Sequence, residues 1–300
     1  DRLRLETGLR KGTSTVNLRE LARQHPLTAF FILAYAISWV VLLPLAILGE
    51  AAASFALIFV IVSAFGPAAA AWIVTRGGEG RPGVRRWISR LFRWRVHVGW
   101  YLVALLLPFL LVVAAYGLYL MAGGSPVEDW RAPSPLLFVA TVLFIALLAG
   151  GQEELGWRGF ALPRLQARYS ALVSSLILGV VWTAWHVPNL LLPGTTQSEL
   201  PWLWYVLLGP AVTILLTWVF NNTRGSLLPA MLFHGAVNAV PGLLPLDAEG
   251  GLISMRVAVL IAAWLLVGVL IAVFGPGRLT TRKAWRSDSG IRHLTGDDSG

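Results

Sequence analysis

Two carboxylates and two imidazoles, Glu153, Glu154, His186 and His234, fall in stretches otherwise apolar enough to lie in lipid. An ionisable side chain at the centre of a membrane helix costs about 2.5–3.5 kcal/mol on insertion scales, so such residues are rare and are retained for function. Amide hydrolysis needs a base for water, a proton donor for the leaving amine and donors aimed at the oxyanion. Carboxylate and imidazole can supply those parts. They can also ligate a divalent metal such as zinc, here from separate helices because no H-E-x-x-H run is present.

Three local patterns carry these residues. In Glu153-Glu154-Leu155-Gly156-Trp157-Arg158, Glu154 and Arg158 are four apart, share a helix face and can pair. Glu153 is turned about 100° away from that pair, as the 3.6-residue period dictates, and is left to act on water. In Trp182-Thr183-Ala184-Trp185-His186-Val187-Pro188, Trp182 precedes His186 by one turn on the same face, and Pro188 is expected to kink the helix just beyond. In His234-Gly235-Ala236-Val237-Asn238, imidazole and carboxamide share a side. Gly235 and Ala236 leave room there for another backbone. Each pattern alone has a plain structural explanation: a charged helix end, a hydrogen-bonded core histidine, or polar contacts between helices. Together they gain weight, because they come from the fourth, fifth and seventh predicted segments, and the other predicted spans hold no acidic or histidine side chain.

The elements that must position them are membrane helices. The chain is 56% hydrophobic and 13% charged over 300 residues, against about 25% charged in a soluble domain. Runs long enough to cross a bilayer occur eight times: Leu27–Leu48, Ala53–Thr75, Val98–Met121, Pro135–Gly151, Leu172–Leu192, Trp202–Phe220, Leu227–Leu244 and Leu252–Phe274. Their continuity argues for an all-α polytopic bundle with a polar cavity rather than a barrel. The first run starts late and is long enough to span, which reads as a span and not as a cleaved leader. Residues 1–26 read as a basic arm, 27–275 as one eight-span membrane domain and 276–300 as a polar, disordered tail.

On this layout 22 of the 24 Lys and Arg residues fall on one side, with only Arg131 and Arg256 opposite. The positive-inside rule then places both termini in the cytoplasm. The formal net charge of +9 is therefore assigned to membrane orientation and to contacts with anionic lipid headgroups, not to nucleic acid. Val84–Arg95 interleaves five arginines with aromatic and aliphatic residues and reads as an interfacial helix, with Phe160–Tyr169 as a second. Trp39, Trp100, Trp130 and Trp202 are assigned to interfacial belts. The chain has no cysteine, which removes disulfides, a thiol nucleophile and thiolate metal ligands.

The ordered set E-E-x-x-x-R, aromatic-x-x-x-H and H-x-x-x-N on three helices resembles the CPBP intramembrane proteases. These are also called Abi or CAAX-protease-like and include the type II CAAX prenyl endopeptidases. The resemblance covers about Pro135–Leu244 and departs from the family at Trp182, where Phe is usual. It implies an intramembrane endopeptidase in which Glu153 and His186 activate water. It assigns His234 and Asn238 to oxyanion stabilisation or metal ligation, with Glu154, Arg158 and Trp182 in support. The metal set would be Glu153, His186 and His234. The implied substrate is a membrane-associated peptide or protein, with a prenylated C-terminus as one option, in a bacterial plasma membrane. The cavity is expected to open toward the cytoplasm. For Glu153 and His186 to meet, span four must continue past Arg158 or span five must begin nearer Leu176, and both are expected. An ion- or proton-coupled transporter and a non-catalytic scaffold are the competing classes.

Overall fold

The computed structural model describes residues 18–127, 134–193, 195–240 and 246–280, and all regular structure among them is helical. A short helix α1 (Leu18–Gln24) precedes α2 (Pro26–Leu48), whose first residue is a proline, tolerated where no intrahelical N–H bond is due. A 3₁₀ turn leads into α3 (Ala56–Ser63) and α4 (Gly66–Gly78), which together make the second crossing. Then come α5 (Gly80–Ile88) and the long α6 (Val98–Met121). The fourth crossing is interrupted: α7 (Pro135–Leu148), a one-turn α8 (Glu154–Gly156), a π-helical turn at Trp157–Ala161 and α9 (Leu162–Gln166). It is followed by α10 (Ala171–Trp185), α11 (Val187–Leu191), α12 (Trp202–Asn222), α13 (Leu227–Ala239) and α14 (Met255–Phe274).

Seven of these units are long and apolar enough to cross a membrane. The predicted seventh span is not among them. Its helix, α13, has 13 residues, about 20 Å at 1.5 Å per residue, short of a hydrocarbon core of about 30 Å. Nearly every residue from Leu227 to Ala236 is buried, so α13 lies inside the bundle, where neighbouring helices take the place of lipid. Its path still returns the chain to the opposite face. The Leu227 amide bonds the Arg90 carbonyl, whereas Val240 packs with Tyr119 and Met255 at the far ends of α6 and α14. Seven full spans and one short buried helix thus replace eight equal spans, and the alternation is preserved.

Hydrogen bonds identify one face of the bundle as the arginine-rich one. Arg93 donates to the Arg224 carbonyl at 2.8 Å, Asn221 donates to the Arg278 carbonyl at 2.8 Å, and Arg164 pairs with Glu79. The Ala171 amide bonds the Gly277 carbonyl there as well. On the other face, Trp204 donates to the Arg256 carbonyl and Leu252 to the Ala122 carbonyl.

Several expectations change here. Glu79 alone turns the chain between α4 and α5, with Pro82 accommodated in the first turn of α5. The interfacial helix ends at Ile88 and is partly tucked in: Arg85 and Arg86 face outward, while Trp87 is buried and donates to the Leu155 carbonyl at 2.8 Å. Phe160 and Leu162 are fully buried core residues, so no interfacial helix spans 160–169. Arg158 is likewise interior and leaves the set of loop charges. Trp39 is mid-helix, donating to the Trp185 carbonyl at 2.9 Å. Residues 1–17, Trp130, Arg131 and the tail from 281 lie outside the described residues.

Candidate functional site

Four side chains are brought together where the fourth crossing breaks. Helix α7 ends at Leu148, and Gly150 then adopts φ 151° and ψ −48°, a region essentially closed to residues with a Cβ. Gln152 repairs the break: its Oε1 accepts from the Gly150 amide at 2.9 Å and its Nε2 donates to the Leu148 carbonyl at 2.8 Å. The helix restarts at Glu154 and widens into the π turn, a form concentrated at functional sites. The long unit therefore runs to Gln166, past Arg158 as expected. Span five begins at Ala171 rather than near Leu176, so the meeting of the two helices is achieved by the fourth crossing alone.

Glu153 is buried, and its Oε2 accepts from the indole Nε1–H of Trp182 at 2.8 Å and of Trp157 at 3.3 Å. The backbone carbonyl of Trp182 accepts a hydrogen bond from His186 Nδ1 at 2.8 Å. That bond commits the Nδ1 proton and leaves Nε2 as an acceptor. The same indole stands edge-on to His186, with ring centroids 4.8 Å apart, and to His234 at 5.6 Å. Arg158 lies over it at 5.9 Å. Trp182 is therefore the hub through which Glu153, His186 and His234 are placed, a larger part than the supporting one its sequence position suggests. The family's usual Phe could not donate to Glu153.

Glu154 and Arg158 form the expected i,i+4 ion pair at 3.0 Å, both 0% exposed. The same Glu154 Oε1 lies 2.7 Å from His234 Nδ1. This second bond crosses from α8 to α13 and is not legible in the sequence. It fixes the ring of His234 so that Nε2 points away from Glu154. On the following turn Asn238 is exposed. Gly150 sits directly beneath the two: a Cβ built there would lie 3.0 Å from Asn238 Nδ2 and 3.1 Å from His234 Nε2. Close approach of α13 to α7 depends on Gly235, whose Cβ would meet the Val142 carbonyl oxygen at 2.5 Å. We expect Gly150→Ala to lower activity at least tenfold, because it both strains the backbone and intrudes on that pair. Cleavage assays beside thermal unfolding in detergent will check this, and full activity with unchanged stability would contradict it.

A cavity of about 390 Å³ adjoins the site, and His186, Trp182, Tyr205 and Asn238 line it. Tyr205, whose ring is 5.6 Å from His186, and Gln152 are the site residues that sequence reasoning missed. A tyrosine three residues into a span reads as interfacial, and a glutamine beside two glutamates carries no distinguishing signal. Its walls also include Thr141 and Phe144 from the middle of α7 and Leu57, Gln197 and Leu200 from the face where α6 ends and α14 begins. Trp157, Arg158, Phe160 and Leu162, each fully buried, pack on the arginine side of the site.

Among the described residues no three His, Asp or Glu side chains converge as a metal-holding group. Oε2 of Glu153 is taken by two indoles, and Oε1 of Glu154 by Arg158 and His234. No step below is routed through a metal.

Comparison with known proteins follows the same residues. Residues 135–240 match the family described as type II CAAX prenyl endopeptidase, Rce1-like. A 129-residue stretch is 36% identical to CAAX prenyl protease 2 of Methanococcus maripaludis, covering 41% of this chain and 47% of that protein. The match thus spans about half the length of that relative. The resemblance to type II CAAX prenyl endopeptidases that the three motifs carry is shown over this segment.

Proposed function

We propose that this multi-pass membrane protein is an intramembrane endopeptidase, hydrolysing a peptide bond in a membrane-associated substrate with a glutamate-activated water. The observation that carries the reading is the junction at Trp182, which holds Glu153 by its indole and His186 by its carbonyl. Oε1 of Glu153 accepts no hydrogen bond from a described residue, so it is available to a water also held by His186 Nε2. In the first step Glu153 takes a proton from that water as the oxygen attacks the substrate carbonyl carbon. The charge that develops on the carbonyl oxygen is met by N–H donors from Asn238 Nδ2 and, when its ring is protonated against Glu154, His234 Nε2. In the second step the proton held by Glu153 passes to the amide nitrogen, the C–N bond breaks, and an amine and a carboxylic acid result, the acid then losing its remaining proton to the amine or to solvent.

A prenylated peptide, suggested by the name CAAX prenyl protease 2 of the relative, is one candidate substrate, and the apolar walls of the cavity are compatible with a lipid-bearing one. Both termini are assigned to the cytoplasm, since the described ends of the chain lie on the arginine-rich face. That basic face is read as contacting anionic membrane lipids and not nucleic acid. The assigned location is a bacterial plasma membrane.

Comparative proteomics of membranes containing wild type or Glu153→Gln tests the reading. One precursor should accumulate uncut in the variant, and cleavage should persist after treatment with a zinc chelator. Loss of cleavage on chelation, with a stoichiometric metal in the preparation, would instead support a metal-bound water. Glu153-dependent flux into proteoliposomes without proteolysis would point to the transporter class, and neither activity to a scaffold.

Trp182→Phe should keep the ring packing against His186 and His234 while removing the donor to Glu153. We expect a roughly 10-fold to 100-fold fall in cleavage rate with KM and thermal stability nearly unchanged, in line with losing one hydrogen bond to a charged group. An unaltered rate would show that the indole serves packing only.

A further inference from the structure

We infer that the groove enclosed by α1, α2 and α4 is a binding site for one anionic phospholipid from the leaflet on the arginine-rich side. Its phosphate lies between Arg23 and Arg76, and an acyl chain runs against Ile32, Leu33 and Trp72. The site is independent of the peptidase reading, because this groove and the cavity beside Trp182 share no lining residue.

The first observation is shape. The groove encloses about 790 Å³, within the range of sites that take small-molecule ligands. It exists because α1 lies across the ends of the other two helices. Gly78 allows that approach: a Cβ there would come within 3.1 Å of the Ala22 carbonyl oxygen.

The second is the order of polarity along the walls. Helix α4 ends at the arginine-rich face, beside the Glu79–Arg164 pair, and α2 starts there. Arg76 therefore sits at the rim, with Trp72 one turn deeper on the same face. On α2, Ile32 and Leu33 lie about one turn deeper than Ala29. Ile32, Trp72 and Ile73 are 57%, 51% and 40% exposed, so the deeper wall is apolar surface turned to lipid. Charge at one end and hydrocarbon at the other is the anatomy of a phospholipid.

The third is charge. Three charged residues line the groove: Arg23, Arg76 and Glu79. Glu79 is already held by Arg86 at 2.9 Å and by Arg164. Neither Arg23 nor Arg76 has an acidic side chain within ion-pair distance among the described residues. Two uncompensated guanidiniums at the mouth of an apolar groove select a phosphate. A zwitterionic lipid brings its own cation and is the weaker occupant. An unfolded peptide would set its backbone polar groups against apolar walls.

Competition between lipids tests the site. The full-length protein in detergent is incubated with equimolar phosphatidylglycerol and phosphatidylcholine of matched chains, and the retained lipid is counted by native mass spectrometry. Wild type should favour phosphatidylglycerol by about tenfold or more, in line with two basic residues near an anionic headgroup. Arg23→Gln with Arg76→Gln should abolish the preference. Arg81→Gln with Arg85→Gln removes equal charge from exposed positions on the same face outside the groove and should leave it largely intact. Trp72→Ala should lower retention of both lipids, and thermal unfolding of every variant in detergent verifies the fold. Equal loss in the two arginine pairs would mean a diffuse field rather than a site and overturns the inference. So does a wild type that takes both lipids alike, or a Trp72→Ala variant that retains them undiminished. Displacement of the lipid by millimolar inorganic phosphate also overturns it, because a bare anion site has no use for the chain.

Discussion

Replacing Glu153 with Gln is expected to lower the cleavage rate by about 10²–10⁴-fold, the range over which general bases contribute, while leaving the protein folded in the membrane. The amide keeps the volume of the carboxylate, and its carbonyl can still accept from the indoles of Trp182 and Trp157, which hold Glu153 at 2.8 and 3.3 Å. What it loses is the capacity to take a proton from water. Single-turnover cleavage of the accumulated precursor in proteoliposomes measures the first quantity, and thermal unfolding in detergent the second. A variant that cleaves within twofold of wild type, at equal stability, would remove Glu153 from the chemistry.

Arg158→Ala should produce the largest loss of stability. Arg158 and Glu154 are both 0% exposed and 3.0 Å apart, and removing one partner of a buried pair costs about 3–5 kcal/mol because the other charge stays buried without compensation. Glu154 would then keep only His234 as a partner. Replacing both members with leucine, Glu154→Leu with Arg158→Leu, should recover most of the loss, since well-packed apolar residues often match or exceed a buried ion pair. Activity should not return in the double variant, because His234 would no longer be oriented through Nδ1. Denaturation in detergent and cleavage by the same preparations separate these effects. A single variant destabilised by less than about 1 kcal/mol, near the centre of ordinary point-mutant effects, would mean that water or another group serves the charge.

The two predictions bear on different levels of legibility. The Glu154–Arg158 pair could be read directly, because four residues on a helix always share a face. Glu153 could be singled out for the same reason, as the acidic residue turned away from that pair. That Glu154 also reaches His234 could not be read. The contact joins residues 80 apart, and helical periodicity says which face a side chain occupies but not which helix stands opposite. The departure from the family at Trp182 was visible as a change of residue; its consequence, an N–H aimed at Glu153, required the neighbouring backbone break to be in place. That break was hidden too. Pro135–Gly151 reads as an ordinary apolar run, and only the φ of Gly150 and the repair by Gln152 show that the helix stops there and restarts.

Composition and charge alone established an all-α membrane bundle with its basic residues on one side, because lipid forces every backbone polar group into helices and membrane insertion sorts arginine by face. The same sequence supplied the four ionisable residues and the order of their helices. Tertiary structure decided the rest. It shortened α13 into a buried helix and gathered Glu153, His186 and His234 around one tryptophan. These outcomes depend on packing between segments far apart in the chain. No local periodicity encodes that packing.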